Sequence, residues 1–108
     1  MTRIISANLN GIRSANTKGF FNWLATQNAD IVCVQEHKAQ ADVVETALAQ
    51  TTEHQGYFHY AKKKGYSGGG IYTRHTPDEV VAGFDGGEFD NEGRYVEARF
   101  GKLSVISV

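Results

Sequence analysis

Four consecutive apolar residues, Ile31-Val32-Cys33-Val34, stop abruptly at Gln35-Glu36-His37-Lys38. A strand with one wet face alternates apolar and polar residues, so a short unbroken run suits a strand covered on both faces. Such a strand needs a packed layer above and another below. The flanking pattern supplies candidates for both. Arg3 to Asn8 reads as a strand, and Asn10-Gly11 as a turn. From Lys18 to Gln27 the apolar residues fall at helical spacing, with Phe20, Trp23 and Leu24 facing a core, and Asn28-Ala29-Asp30 ends that helix. A second helix is predicted over Asp42 to Gln50, with Val43, Val44, Ala47 and Leu48 as its apolar face and Asp42 near its N-cap.

Beyond Gly56 the pattern turns to strands. Tyr57-Phe58-His59-Tyr60 and Ile71-Tyr72-Thr73 read as two, separated by the basic, glycine-rich stretch Lys62 to Gly70. Pro77 stops the second, and Glu79 to Ala82 reads as another. Asp85 to Gly93 is an acidic loop. Arg94 to Phe100 and Leu103 to Val108 form a hairpin about Gly101-Lys102. The order β-α-β-α followed by strands predicts an α/β or α+β layered fold. The chain ends inside an apolar, strand-like run, so more chain is expected beyond Val108.

Composition narrows the function classes. The 108 residues, 11.9 kDa, suit one domain or part of a larger one, and 41% hydrophobic with 21% charged residues argues against disorder. Eleven Lys+Arg against twelve Asp+Glu give a net charge of -1, so any nucleic-acid contact must be local. Cys33 is the single cysteine, which excludes an intrachain disulfide and a cysteine zinc cage and suggests a reducing compartment. No run approaches the ~20 apolar residues of a membrane span, and the default expectation is a cytoplasmic protein with no membrane partner.

Three groups of residues could carry chemistry. Asn8 and Glu36 each follow a predicted strand. If those strands are parallel neighbours, both side chains emerge at the sheet edge where open α/β sheets bind ligands. A carboxylate with an amide oxygen is a hard-oxygen pair suited to Mg²⁺; the alternative is a turn asparagine and a solvated loop acid. Lys62 to Gly70 offers lysines, backbone N–H groups and the hydroxyls of Tyr66 and Ser67 to phosphate, or is simply a solvated hairpin. Arg13, Lys38 and Arg94 lie beside these segments, and each alone is an ordinary surface charge. His37, His54, His59 and His75 lack metal-ligand spacing and read as structural or surface residues; Cys33 reads as an inert core thiol, and Phe20, Phe21 and Trp23 as core.

Taken in order, Ser6-Ala7-Asn8-Leu9-Asn10-Gly11-Ile12-Arg13, Ala29 to Lys38, Gly65-Tyr66-Ser67-Gly68, Glu92-Gly93-Arg94 and Leu103 to Val108 resemble the exodeoxyribonuclease III / class II apurinic-apyrimidinic endonuclease family, within the DNase-I-like endonuclease/exonuclease/phosphatase superfamily. The resemblance implies an α/β fold in which residues 1–108 are the N-terminal half of a four-layer α/β sandwich. It implies Glu36 as the main ligand of Mg²⁺ or Mn²⁺, with Asn8 and Asn10 beside the metal. It implies Arg13, Tyr66 and Arg94 on the DNA backbone, and Lys38 supporting the metal or a phosphate. The sequence departs from the family at Gly69-Gly70, where Val and a small residue are usual and where glycines would soften a strand start, and at His37, where Thr or Leu is common.

The family's later tyrosine, its Asp-x-Asn motif and its Ser-Asp-His motif all lie beyond Val108. The implied function is a magnesium-dependent DNA-repair nuclease. It would act on double-stranded DNA at abasic sites and 3′ ends in base-excision repair, as a cytoplasmic, nucleoid-associated protein and a monomer at full length. A chain of these 108 residues alone is expected to be inactive. The rivals are a phosphoesterase of the same superfamily acting on inositol phosphates or lipids, and a non-catalytic interaction fragment.

Overall fold

The computed structural model describes residues 2–40, 54–62, 67–83 and 93–108. The helix expected over Asp42 to Gln50 lies outside them, as does most of the acidic loop before Gly93. The described elements run β1 (Ile4–Asn8), α1 (Ile12–Thr17), α2 (Phe20–Leu24), β2 (Ile31–Gln35), β3 (Gln55–His59), β4 (Gly69–Thr73), β5 (Glu79–Ala82), β6 (Val96–Phe100) and β7 (Leu103–Ser107). They form two sheets, ordered β1-β2-β4-β3 and β5-β6-β7. Only β1 and β2 run parallel, joined through the two helices; every other pair is antiparallel. The class is α+β.

The unbroken apolar run is explained by its two covers. Val32 and Val34 point to a core shared with Ile12, Ala15, Phe21 and Leu24 of the helices. Ile31 and Cys33 point the other way, into a core with Ile71 of β4 and Val96, Ala98 and Val105 of the second sheet. The β2 pattern is therefore buried at four positions out of five, and burial pushes the Cys33 thiol up. The predicted hairpin forms with Phe100 opposite Leu103. Leu103, Ile106 and Val108 stay exposed while Val105 is buried.

Three local expectations need correction. The helix expected over Lys18 to Gln27 is only Phe20–Leu24, begun after Gly19 at φ 90, and a further short helix, Ile12–Thr17, precedes it where a turn and no helix was expected. In this single turn Phe21 and Leu24, three apart, are the buried pair, Phe20 is half-buried, and Trp23 is 48% exposed rather than core. β4 starts two residues earlier than expected, and Gly69-Gly70 belong to a fully buried strand. A Cβ on Gly70 would stand 2.3 Å from Cδ1 of Phe58 on β3, so the glycine lets the Phe58 ring lie across the strand rather than weakening it.

Tyr72 is fully buried in the helix-side core, and its hydroxyl has no hydrogen-bond partner among the described residues. Its ring packs edge-on against Phe21 and Phe58. Burial drives the phenol pKa far up, so the group stays neutral. A buried, unpaired hydroxyl costs stability, whereas the ring's packing is kept by phenylalanine. Tyr72→Phe is therefore expected to stabilise by about 1 kcal/mol, read as a higher denaturant midpoint at unchanged slope. A loss of that size would show that the hydroxyl is satisfied.

Candidate functional site

The parallel pairing places Asn8 opposite Gln35 at the ends of β1 and β2, so the segments that follow both strands leave on one edge. There the backbone keeps pairing after the strands end. Leu9 N–H donates to the Gln35 carbonyl at 2.9 Å, Gly11 N–H to Glu36 at 2.8 Å, and Ile12 N–H to His37 at 2.8 Å. From the other side Lys38 N–H donates to Ser67 at 2.7 Å and His37 N–H to Gly68 at 3.3 Å. Three loops are thus stitched into one platform. Asn10, Glu36, Lys38 and Ser67 sit at φ between 46 and 54, in the left-handed region, and these bonds hold them there.

On that platform Asn8 Nδ2 donates to the Glu36 carboxylate. Asn8 Oδ1 accepts the Asn10 N–H at 3.0 Å, which fixes the orientation of the amide. Lys38 Nζ donates to Asn10 Oδ1 at 2.5 Å and stands 3.9 Å from Glu36 Oε1. The four polar side chains predicted from the sequence at this edge, Asn8, Asn10, Glu36 and Lys38, therefore form one connected set. Arg94 joins them as a wall of the adjoining cleft, about 190 Å³, whose other walls are Asn8, Gln35, Glu36, Ser67, Gly68, Gly69 and Val108. Arg13 is exposed on α1 and is not among the cleft walls. Tyr66 lies outside the described residues.

Gln35 was not singled out in the sequence. Its Nε2 lies 3.2 Å from Oγ of Ser6 and 3.2 Å from Oγ of Ser107, and Ser107 in turn donates to the Val34 carbonyl at 2.9 Å. The residue beside Glu36 thus ties the two sheets together at the cleft floor. Gly93 sets the opposite wall: at φ 64 it packs directly on the Tyr60-Ala61 backbone and delivers Arg94. Neither role has a local sequence signal.

The electrostatics separate the cleft from the rest of the surface. Glu97 on β6 is held down to about 2 by the Ser104 hydroxyl first and by Arg99 second. It lines no part of the cleft and forms a polar knot with Tyr95, Arg99 and Glu79. Behind Glu36, burial lowers the pKa of His37, a residue only 1% exposed.

The donor set can be tested against a divalent cation. No group of three or more His, Cys, Asp or Glu side chains comes together among the described residues, so these residues by themselves do not surround a metal. One carboxylate, held by the Asn8 amide and open to a cleft with Arg94 on its wall, fits a hard cation that takes its remaining oxygens from water and phosphate. The Asn8 oxygen accepts the Asn10 N–H and the Asn10 oxygen accepts the lysine, which fixes the orientation of both amides and leaves each oxygen one further lone pair.

The sequence signature of the Endonuclease/Exonuclease/phosphatase family matches residues 5–108. An exodeoxyribonuclease of Bacillus subtilis (strain 168) is 36% identical over 107 residues, covering 98% of this chain and 41% of that protein. Among solved structures, an AP endonuclease from Archaeoglobus fulgidus superposes with TM-score 0.78 at 29% identity, covering 98% of this chain and 40% of that one. A 3′ phosphatase, NExo, from Neisseria bound to product DNA hairpin superposes with TM-score 0.79 at 25% identity, again covering 98% and 40%. The chain spans about two fifths of the length of these relatives.

Proposed function

Because this chain belongs to the endonuclease/exonuclease/phosphatase family, we propose that it is the N-terminal part of a divalent-metal-dependent DNA-repair phosphodiesterase that hydrolyses the backbone at abasic sites and 3′ ends. The observation that carries this reading is the Glu36 carboxylate, held by Asn8 at the edge of a cleft that also presents Arg94. The names of the relatives support the substrate class: an exodeoxyribonuclease, an AP endonuclease and a 3′ phosphatase bound to DNA.

Glu36 would hold Mg²⁺ or Mn²⁺, with Asn8 and Asn10 orienting the carboxylate and its surroundings. When bound, the ion supplies Lewis-acid neutralisation of phosphate charge. This chain's own residues do the rest of what it contributes. Asn8 fixes the carboxylate rotamer through its amide N–H. Lys38, anchored on Asn10, keeps a positive charge at the cleft edge. Arg94 can meet a phosphate from the opposite wall, and Arg13 and Tyr66 would be further phosphate contacts, as the family resemblance implies. Such contacts fix position without reading sequence, which suits a repair enzyme acting at any abasic site. The group that activates the attacking water is not among these residues, so the 108 residues alone are inactive in this reading.

The test is a substrate panel with the protein in the form its source makes: an abasic duplex, a 3′-phosphate-terminated duplex, an inositol polyphosphate and a phosphoinositide vesicle, each with Mg²⁺. Turnover confined to the DNA substrates is expected. Preference for the inositol substrates would transfer the protein to the other phosphoesterase branch, and no turnover on any would favour the interaction-fragment reading.

A further inference from the structure

We propose that His37 is a positioning residue for the cleft, one whose buried ring locks the backbone turn that aims Glu36 and Lys38. The inference rests on the functional reading above and adds to it the device that holds the carboxylate in place.

Glu36 and Lys38 both adopt φ 54, a conformation unfavourable for residues with a Cβ. Such a pair persists only when the surroundings over-determine it. The residue between them is where that determination sits. Its ring Nδ1 accepts the Ala39 N–H at 3.2 Å. An amide N–H can only donate, so Nδ1 is bare and the ring proton lies on Nε2. Nε2–H then donates to the His59 carbonyl, 3.0 Å away on β3. Phe58 and Tyr60 pack edge-on against the ring at 5.7 and 5.4 Å.

Gly68 closes the remaining side, where a Cβ would come within 2.3 Å of ring Cε1. The backbone of His37 is held as well, its N–H to Gly68 and its carbonyl to Ile12. Residue 37 is thereby gripped from α1, β3 and the Ser67-Gly68 segment at once. Its two neighbours, by contrast, keep side chains about a third exposed.

A residue that merely fills space would be replaceable by an apolar side chain of similar volume. A residue that aims its neighbours through its two ring nitrogens would not. His37→Leu keeps bulk and loses both hydrogen bonds. His37→Gln keeps an amide N–H for the His59 carbonyl on a chain of similar reach. Both are made in the protein as its source produces it and compared for Mn²⁺ affinity, for kcat and KM on an abasic duplex, and for denaturant midpoint. His37→Leu is expected to weaken Mn²⁺ binding about 10–100-fold, the range for residues that support a metal ligand. Its kcat should fall at fixed Mn²⁺ and recover with added Mn²⁺, with KM for DNA little changed. His37→Gln should lie closer to the parent.

Equal Mn²⁺ affinity in parent and His37→Leu, or a Leu variant that outperforms the Gln variant, would overturn the inference and leave the functional reading standing. A parent that neither binds Mn²⁺ nor cuts abasic DNA would remove both.

Discussion

Glu36→Gln is expected to lower Mg²⁺-supported cleavage of an abasic duplex by about 10³-fold, the several kcal/mol that charge neutralisation at a scissile phosphate supplies. The substitution is nearly isosteric. The glutamine oxygen can still accept the Asn8 N–H that the carboxylate accepts now. What disappears is the negative charge beside Lys38, 3.9 Å away, and with it the one carboxylate of the cleft wall. Folding should barely notice, because both partners are about a third exposed and an exposed pair contributes only about 0–1 kcal/mol. The decisive pattern is therefore a rate lost without a change in denaturant midpoint, partly recovered at high metal concentration. Activity within about threefold of the parent would remove Glu36 from the chemistry, since the loss expected of a metal-holding carboxylate is orders of magnitude larger.

The largest effect on stability is expected at Gly93. A Cβ there would stand 2.4 Å from the Tyr60 carbonyl carbon and 2.6 Å from the Ala61 nitrogen. Those atoms are backbone and cannot swing aside as a side chain can. The residue also has φ 64, so alanine adds conformational strain to the overlap. Gly93→Ala should cost about 3 kcal/mol or more, combining strain and overpacking. It should also pull Arg94 off the cleft wall. Gly101 supplies the matched comparison: its φ is 60, but nothing lies within 4 Å of the added carbon. Gly101→Ala should cost only the strain, about 1 kcal/mol. Equal losses at the two positions, measured by denaturant unfolding, would show that the contact with Tyr60 and Ala61 does not matter.

The parts of this architecture that were legible in the sequence are those carried by local pattern. The run Ile31 to Val34 announced a doubly covered strand, and it packs helices on one face and a second sheet on the other. The abrupt polar ends after Asn8 and after Val34 marked the sheet edge at which Asn8 and Glu36 meet. What failed was helix phase. Ile12 to Thr17 is short, polar and begun by a β-branched residue, so its helix comes from the buried Ile12 and Ala15 and from the Gly11 turn rather than from propensity. Trp23 lies on the outside because the five-residue α2 buries Phe21 and Leu24, three apart, and the face it turns to the core leaves out Trp23.

The candidate site divides in the same way. Glu36, Asn8, Asn10 and Lys38 lie on two short segments whose strand context could be read directly. Gln35 acquires its role from Ser107, 72 residues away. His37 acquires its own from His59, 22 residues away on another strand. Gly93 matters because of the backbone of residues 60 and 61. Each is a long-range contact, and a single sequence carries no local mark of such contacts.

The most direct test is incision of a duplex carrying one abasic site, followed with and without a chelator, using the protein in the form its source makes. Strand cleavage at the abasic site that is abolished by chelation and restored by Mg²⁺ is the predicted result. Cleavage that survives chelation, or a protein that leaves the abasic duplex intact with Mg²⁺ present, would contradict it.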